Sequence, residues 1–201
     1  MEKNNDKPKL RFPGFTDPWE QRKLGDITDS YSGGTPSVGN KLYYKGDIPF
    51  IRSGEINSES TELFITEEGL QNSSAKLVEK GYILYALYGA TSGEVGISHI
   101  NGAINQAILA ISPKYNYDSY FIAQWLRKEK VTIVNTYLQG GQGNLSANIV
   151  KELVISIPSK DEEQNKIAAF FKHIDDLITL HQRKLNHLQE QKKSLLQQMF
   201  I

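Results

Sequence analysis

The chain has no cysteine. A disulfide framework and a thiolate metal site are therefore excluded, and a reducing compartment, the cytoplasm, is expected. Charge of one sign is also lacking: 23 Lys and Arg face 23 Asp and Glu. Up to Pro158 there are 16 basic and 17 acidic side chains, and beyond it 7 and 6, so neither part is a basic arm or a polyanion mimic. A chain that gripped DNA alone by its phosphates would be basic. Any contact with nucleic acid therefore needs local patches or charge supplied by a partner. No run of about 18 apolar residues occurs, so no segment is expected to span a membrane. The first residues, "MEKNNDKPKLRFPGF", are polar and lack the apolar centre of a secretory signal.

Catalytic signatures are missing as well. The four histidines, His99, His173, His181 and His187, form no H-E-x-x-H and no other cluster with metal-ligand spacing. "GATSGEVG" has no Lys-Ser/Thr to complete a phosphate loop and reads as a strand-to-strand turn. There is no G-x-G-x-x-G and no G-x-S-x-G. Asp175 and Asp176 are neighbours on a helix and cannot converge as an acid/base pair. No catalysis by this chain alone is expected, and no metal or cofactor of its own.

What is present is a mixed pattern followed by a uniform one. Residues 1–10 are polar and aperiodic, and disorder is expected there. Over 11–158, "IPFIRS", "GYILYALYG", "EVGISHI" and "AILAISP" are short and rich in β-branched and aromatic residues, and read as strands. "DSYFIAQWLRKEK" reads as a helix capped by Asp118, with Phe121, Ile122, Trp125 and Leu126 on one face. "LSANIVKEL" reads as a short helix capped by Ser146, and "LVISIP" as a last strand. Phe12, Phe15 and Trp19 are placed to pin the N-terminal segment to the core. The fold class is α+β: a mixed α/β domain followed by one long C-terminal coiled-coil helix over 159–201.

That helix opens on "SKDEEQ", where Ser159 and Glu162 have capping-box spacing and three acids lie in the first turn. Its seam alternates steps of four and three: Ile167, Phe171, Ile174, Ile178, His181, Leu185, Leu188, Lys192, Leu195 and Met199. Eight of the ten are apolar, which is the period of a left-handed coiled coil. Phe170, Leu177 and Leu180 widen the stripe near its start, where the helix can touch its own domain. The bland alternative is a helix folded back wholly on that domain. A second copy of the helix is the expected partner. Antiparallel pairing centred near Arg183 sets Asp175 and Asp176 close to Lys192, whereas parallel pairing puts Lys192 and His181 each beside their like.

The remaining hardware suits recognition. "YSGGTPS", "YGATSG" and "LQGGQGNLS" are loops rich in hydroxyl, amide and backbone donors. Ser32, Thr35, Arg52, Asn105, Gln106, Gln142 and Asn144 are residue types that read base edges. Lys41, Lys45, Arg127, Lys128 and Lys130 are suited to phosphates. Singly, each such residue is better explained by a solvated turn. Gly33, Gly34, Gly140 and Gly141 are read as serving backbone conformation.

Several segments together resemble the specificity subunit of type I restriction-modification systems. They are "LRFPGFTDPWEQRKLGDI", "SGGTP", "YYKGDIPFIRSGEI", "GYILYALYGATSGEVGI", "AINQAILAISP" and, most of all, "NLSANIVKELVISIPSKDEEQNKIAAFFKHIDDLI". The resemblance covers nearly the whole chain. It implies a target-recognition domain over 11–158 and a spacer and dimerisation helix over 159–201. It also implies a non-catalytic subunit that chooses the double-stranded DNA sequence. Separate modification subunits would carry the methyl donor and methylate adenine, and restriction subunits would use ATP and Mg. The family's typical member has two recognition domains and two helices in tandem; one of each is found here, with no internal repeat. The competing expectation is a coiled-coil adaptor whose α/β domain binds protein.

Overall fold

The computed structural model describes residues 8–138 and 144–200. Most of the N-terminal stretch expected to be disordered lies outside them, as do Gly140, Gly141 and Gln142.

Ten strands and five helices are found among the described residues. The domain closes on itself at its two ends. Strand β1 (Glu20–Lys23) pairs antiparallel with β10 (Val154–Ile157), and the Leu24 backbone N–H donates to the Leu153 carbonyl at 2.8 Å. Helix α1 (Leu24–Ile27) then turns Leu24 and Ile27 inward. The central sheet is wholly antiparallel, in the order β2 (Thr28–Ser32), β9 (Ile108–Pro113), β6 (Ile83–Ala86), β7 (Val95–Ile97). A third sheet runs β4 (Phe64–Ile65), β3 (Tyr44–Ile51), β8 (Gly102–Ile104), β5 (Lys76–Val78), with β3 and β8 parallel.

The run "ILYA" is apolar without alternation because β6 is covered on both faces. Ile83 and Tyr85 join Leu109 and Ile111 in one core, shared with helix α3 (Ser119–Leu138). Leu84 and Ala86 join Ile108 and Ala110 in a second core, toward Ile51 and Ile104 of the third sheet. Asp118 caps α3 as expected, accepting from the Phe121 N–H at 2.8 Å, and Ser146 caps α4 (Ala147–Glu152). The short α2 (Glu67–Gln71) begins at Thr66. "GATSGEVG" is the β6–β7 turn, with Gly89 and Gly93 at positive φ.

The C-terminal helix α5 (Asp161–Met199) spans 39 residues, about 58 Å. The expected capping box does not form. The helix begins after Lys160, whose side chain makes no cap bond, and Ser159 lies outside it. Glu163 and Gln164, one and two positions beyond Glu162, anchor the base instead. Arg11 clasps Glu163 through two bonds of 2.7 and 2.6 Å and donates a third to the Asp17 carbonyl. Gln164 is fully buried and accepts from the Asp118 N–H. Phe12 packs edge-on against Phe170, Trp19 against Phe121, and Lys166 lies over Phe15, so the N-terminal segment straps the helix base to the domain.

The helix is not folded back along its length. Its first turns pack on α3; an exposed pair between Arg183 and Glu59 at 3.5 Å is a marginal tie. Every residue from 176 to 200 is exposed, including the apolar seam residues Ile178, Leu185, Leu188, Leu195 and Met199.

Candidate nucleic-acid interface

The loop after β2 lies tightly against its neighbours. A Cβ on Gly33 would stand 1.9 Å from the Ile104 carbonyl oxygen, and one on Gly34 would stand 2.5 Å from Ser74 Cβ. Only hydrogen fits at either place, so these glycines serve close backbone approach. The loop is thereby held across the end of β8. Ser32 ends β2 beside it, and Thr35 donates to Gln106 Oε1 at 2.7 Å. Gln106 belongs to the β8–β9 turn, where Asn105 Oδ1 accepts from the Ala107 N–H at 3.0 Å. The Tyr88 hydroxyl donates to the Gln106 carbonyl. Next to Tyr88, the Leu87 carbonyl accepts from the Leu145 N–H at 2.9 Å, which brings Asn144 to the same loop cluster.

On the other side, the Tyr44 hydroxyl donates to the Pro36 carbonyl at 2.6 Å. Thr35, Val38, Tyr44, Arg52 and Asn105 line one shallow groove there. Lys41 and Lys45 flank Tyr44 in sequence; both are exposed, and among the described residues neither has an ion-pair partner. Ser32, Thr35, Lys41, Lys45, Arg52, Asn105, Gln106 and Asn144 are thus drawn from separate stretches of sequence into neighbouring loops and strand ends. Gln142 lies outside the described residues.

The polar groups of this cluster differ in how far they are committed to partners within the chain. Thr35 occupies one lone pair of the Gln106 amide oxygen, and its second lone pair and its NH2 have no partner among the described residues. Arg52 is more committed. Its Nε and Nη2 hold Glu55 at 3.0 and 2.8 Å, and Nη2 also reaches Glu62 at 3.3 Å. The Arg52 guanidinium holds the Glu55 carboxyl down at about 2, and the pairing raises Arg52 in turn. Base reading by Arg52 would have to use Nη1 or exchange one of these bonds.

The phosphate candidates on α3 are each engaged within the chain. Arg127 faces Asp175 at 3.5 Å, Lys128 pairs with Glu129 at 2.6 Å, and Lys130 pairs with Glu94. Asp175 also accepts from Gln124 at 2.9 Å and from Tyr120, whose phenol is pushed up to about 12 by burial and by this bond. All three groups meet Asp175 at Oδ2, and the carboxylate is still 44% exposed. Sequence reasoning missed Tyr44 and Tyr88, which tie the loops together, and the exposed apolar pair Val38 and Leu42. Aromatics next to Gly- and Pro-rich loops were the available signal.

Among the described residues, no group of three His, Cys, Asp or Glu could hold a metal ion, and no helix is long and apolar enough to cross a membrane. Over residues 16–190 the chain matches the family model described as type I restriction modification DNA specificity domain. It is 31% identical over 180 residues to the type I restriction enzyme MjaIX specificity subunit of Methanocaldococcus jannaschii, covering 86% of this chain and 41% of that protein. It is 28% identical over 166 residues to the HindI specificity subunit of Haemophilus influenzae, covering 77% and 36%. The crystal structure of the type I restriction-modification S subunit from M. genitalium superposes with a TM-score of 0.67 at 17% identity, over 90% of this chain and 46% of that one. That likeness bears on the fold: a mixed α/β domain with a long C-terminal helix. The chain spans less than half the length of the relatives it matches. A match over 16–190, carried by a fold of the same kind, places this chain in the type I restriction modification DNA specificity domain family.

Proposed function

We propose that this chain is the sequence-reading, non-catalytic subunit of a type I restriction-modification complex acting on cytoplasmic double-stranded DNA. The observation that carries the reading is the family match over 16–190. The gathering of Thr35, Asn105, Gln106 and Asn144 into one loop cluster supports it. In this reading the loops meet base edges, and Lys41 and Lys45 meet phosphates. Modification subunits bring the methyl donor and methylate adenine; restriction subunits bring ATP and Mg chemistry. The balanced charge makes the chain a weak binder alone and a tight one when modification subunits add their own contacts.

The same reading takes α5 as a dimer helix. Six apolar seam residues left in water favour burial against a second copy, and antiparallel pairing centred on Arg183 would set two domains at opposite ends of a rod about 58 Å long. Two inverted half-sites with an unread gap follow from that symmetry.

The test is duplex binding by the chain mixed with its modification subunits, across a salt series. Affinity falling with salt while a sequence preference persists is expected. Absence of any preference at every salt concentration would favour the protein-binding adaptor instead.

A further inference from the structure

We infer that Val38 and Leu42, on the arm between β2 and β3, read the 5-methyl group of a thymine. The inference rests on the DNA-reading function proposed above and names a contact within it. Val38 is 80% exposed and Leu42 68%. One exposed aliphatic side chain alone would need no explanation. This pair is different because the backbone that carries it is fixed.

The Tyr44 hydroxyl donates to the Pro36 carbonyl at 2.6 Å, and the Asn40 N–H closes a tight turn on the Ser37 carbonyl at 3.1 Å. Val38 and Gly39 are the central residues of that turn, so Val38 stands at its tip. Asn40 Oδ1 accepts from the Leu42 N–H at 3.1 Å and caps the single 3-10 turn Lys41–Tyr43. Thr66 donates its hydroxyl to the Leu42 carbonyl at 2.8 Å and its N–H to the Tyr43 carbonyl at 3.0 Å. An arm tied down along its length in this way does not fold over to hide its apolar side chains. Their exposure is built in, and what covers them must come from outside the domain.

The surroundings define that ligand. Lys41 lies between the two apolar residues in sequence, and Lys45 follows at φ 62°, where the register of β3 shifts. A lysine takes that left-handed conformation at a cost. Both amines are exposed and without an ion-pair partner among the described residues, so an anionic ligand is favoured. Val38 shares its groove with Thr35 and Asn105, and Thr35 is bonded to Gln106. Asn and Gln are the residue types that pair with N6 and N7 of adenine in the major groove. The apolar group on that same edge is the 5-methyl of the paired thymine. An A·T pair therefore presents together what this corner of the domain presents together: a partner for amides and a partner for an aliphatic side chain. A wedge driven between base steps from the minor groove is the other use of exposed aliphatic residues on DNA, and it gives Asn105 and Gln106 no adenine N6 or N7 to meet.

The probe is deoxyuridine, which removes that methyl group and keeps the base pair. The target of the chain with its modification subunits is first mapped by sequencing methylated adenines. Each thymine of the target is then replaced in turn by deoxyuridine in a short duplex, and the dissociation constant of the complex is measured. At one thymine position of a half-site the replacement should weaken binding about fourfold, the value of one methyl group removed from apolar contact. That response should shrink in Val38→Ala and vanish in the double variant Val38→Ala, Leu42→Ala. Val131→Ala, also at an exposed position but on α3, should keep it in full. Unfolding midpoints of all these variants should match the parent, since every substituted side chain is exposed. A sequence preference with no thymine position that responds overturns the methyl contact and leaves the DNA-reading function standing. So does a response that the double variant retains, or a Val38→Ala loss that is equal on thymine and deoxyuridine duplexes, as a wedge would give. Binding with no sequence preference at all overturns the function and the contact together.

Discussion

A Cβ at residue 33 would stand 1.9 Å from the Ile104 carbonyl oxygen, so Gly33→Ala must move backbone at the centre of the candidate interface. The expected cost is about 1–3 kcal/mol, read from urea unfolding, and a variant as stable as the parent would show the loop to be looser than described. At Glu55 the effect depends on pH. Arg52 lowers its carboxyl from 4.5 to about 2 in the fold, so its contribution is fully present above about 4.5 and is lost as pH falls toward 2. Glu55→Gln should therefore flatten the fall in stability between pH 5 and 2, measured as unfolding midpoints across that range. Reading and gripping should also separate. Gln106→Ala is expected to relax methylation specificity at one target position, worth about 1–3 kcal/mol of discrimination. Lys45→Ala should weaken all sequences alike and reduce the salt slope by about one. The residue types of this surface were legible in the sequence, since Thr35, Asn105 and Gln106 stand in or beside Gly-flanked loops. Their mutual bonds were not, because Thr35 and Gln106 are 71 residues apart. The main partner of Arg52, Glu55, lies only three residues on; the second contact, to Glu62, comes from a later strand connection and was not legible.

Helices and long apolar strands were the readable elements. α3 and α4 stand where periodicity and caps put them and α5, β6, β9 and β10 where their patterns do, although α3 continues well past the segment that announced it. β2, β5 and β8 were not visible: they are three to five residues long, and "TDSYS" is polar, so their strand character comes from neighbours and not from pattern. The capping box failed for a similar reason. Ser159 had the right spacing, but Glu163 and Gln164 fix the helix start through Arg11 and Asp118, contacts that local sequence cannot reveal. The exposed middle of α5 gives a direct prediction. Ile178→Lys would bury a charge in the seam and should weaken self-association about 100-fold, or roughly 2–3 kcal/mol, with the unfolding of the domain unchanged. Sedimentation and circular dichroism on the same sample would show both.

For the whole molecule, a sheet-and-helix domain carries the candidate recognition surface on its loops and a strapped helix that leaves its apolar face uncovered from residue 176 onward. Two such molecules paired antiparallel would present two identical surfaces related by a two-fold axis, and the length of α5 would set the distance between them. The most direct measurement is sequencing of methylated adenines in DNA treated with this chain and its modification subunits. The expected map is one interrupted site with identical inverted halves, spanning no more than about two turns of the duplex. Methylation without a shared motif, or at a site whose halves are unrelated, would contradict the account.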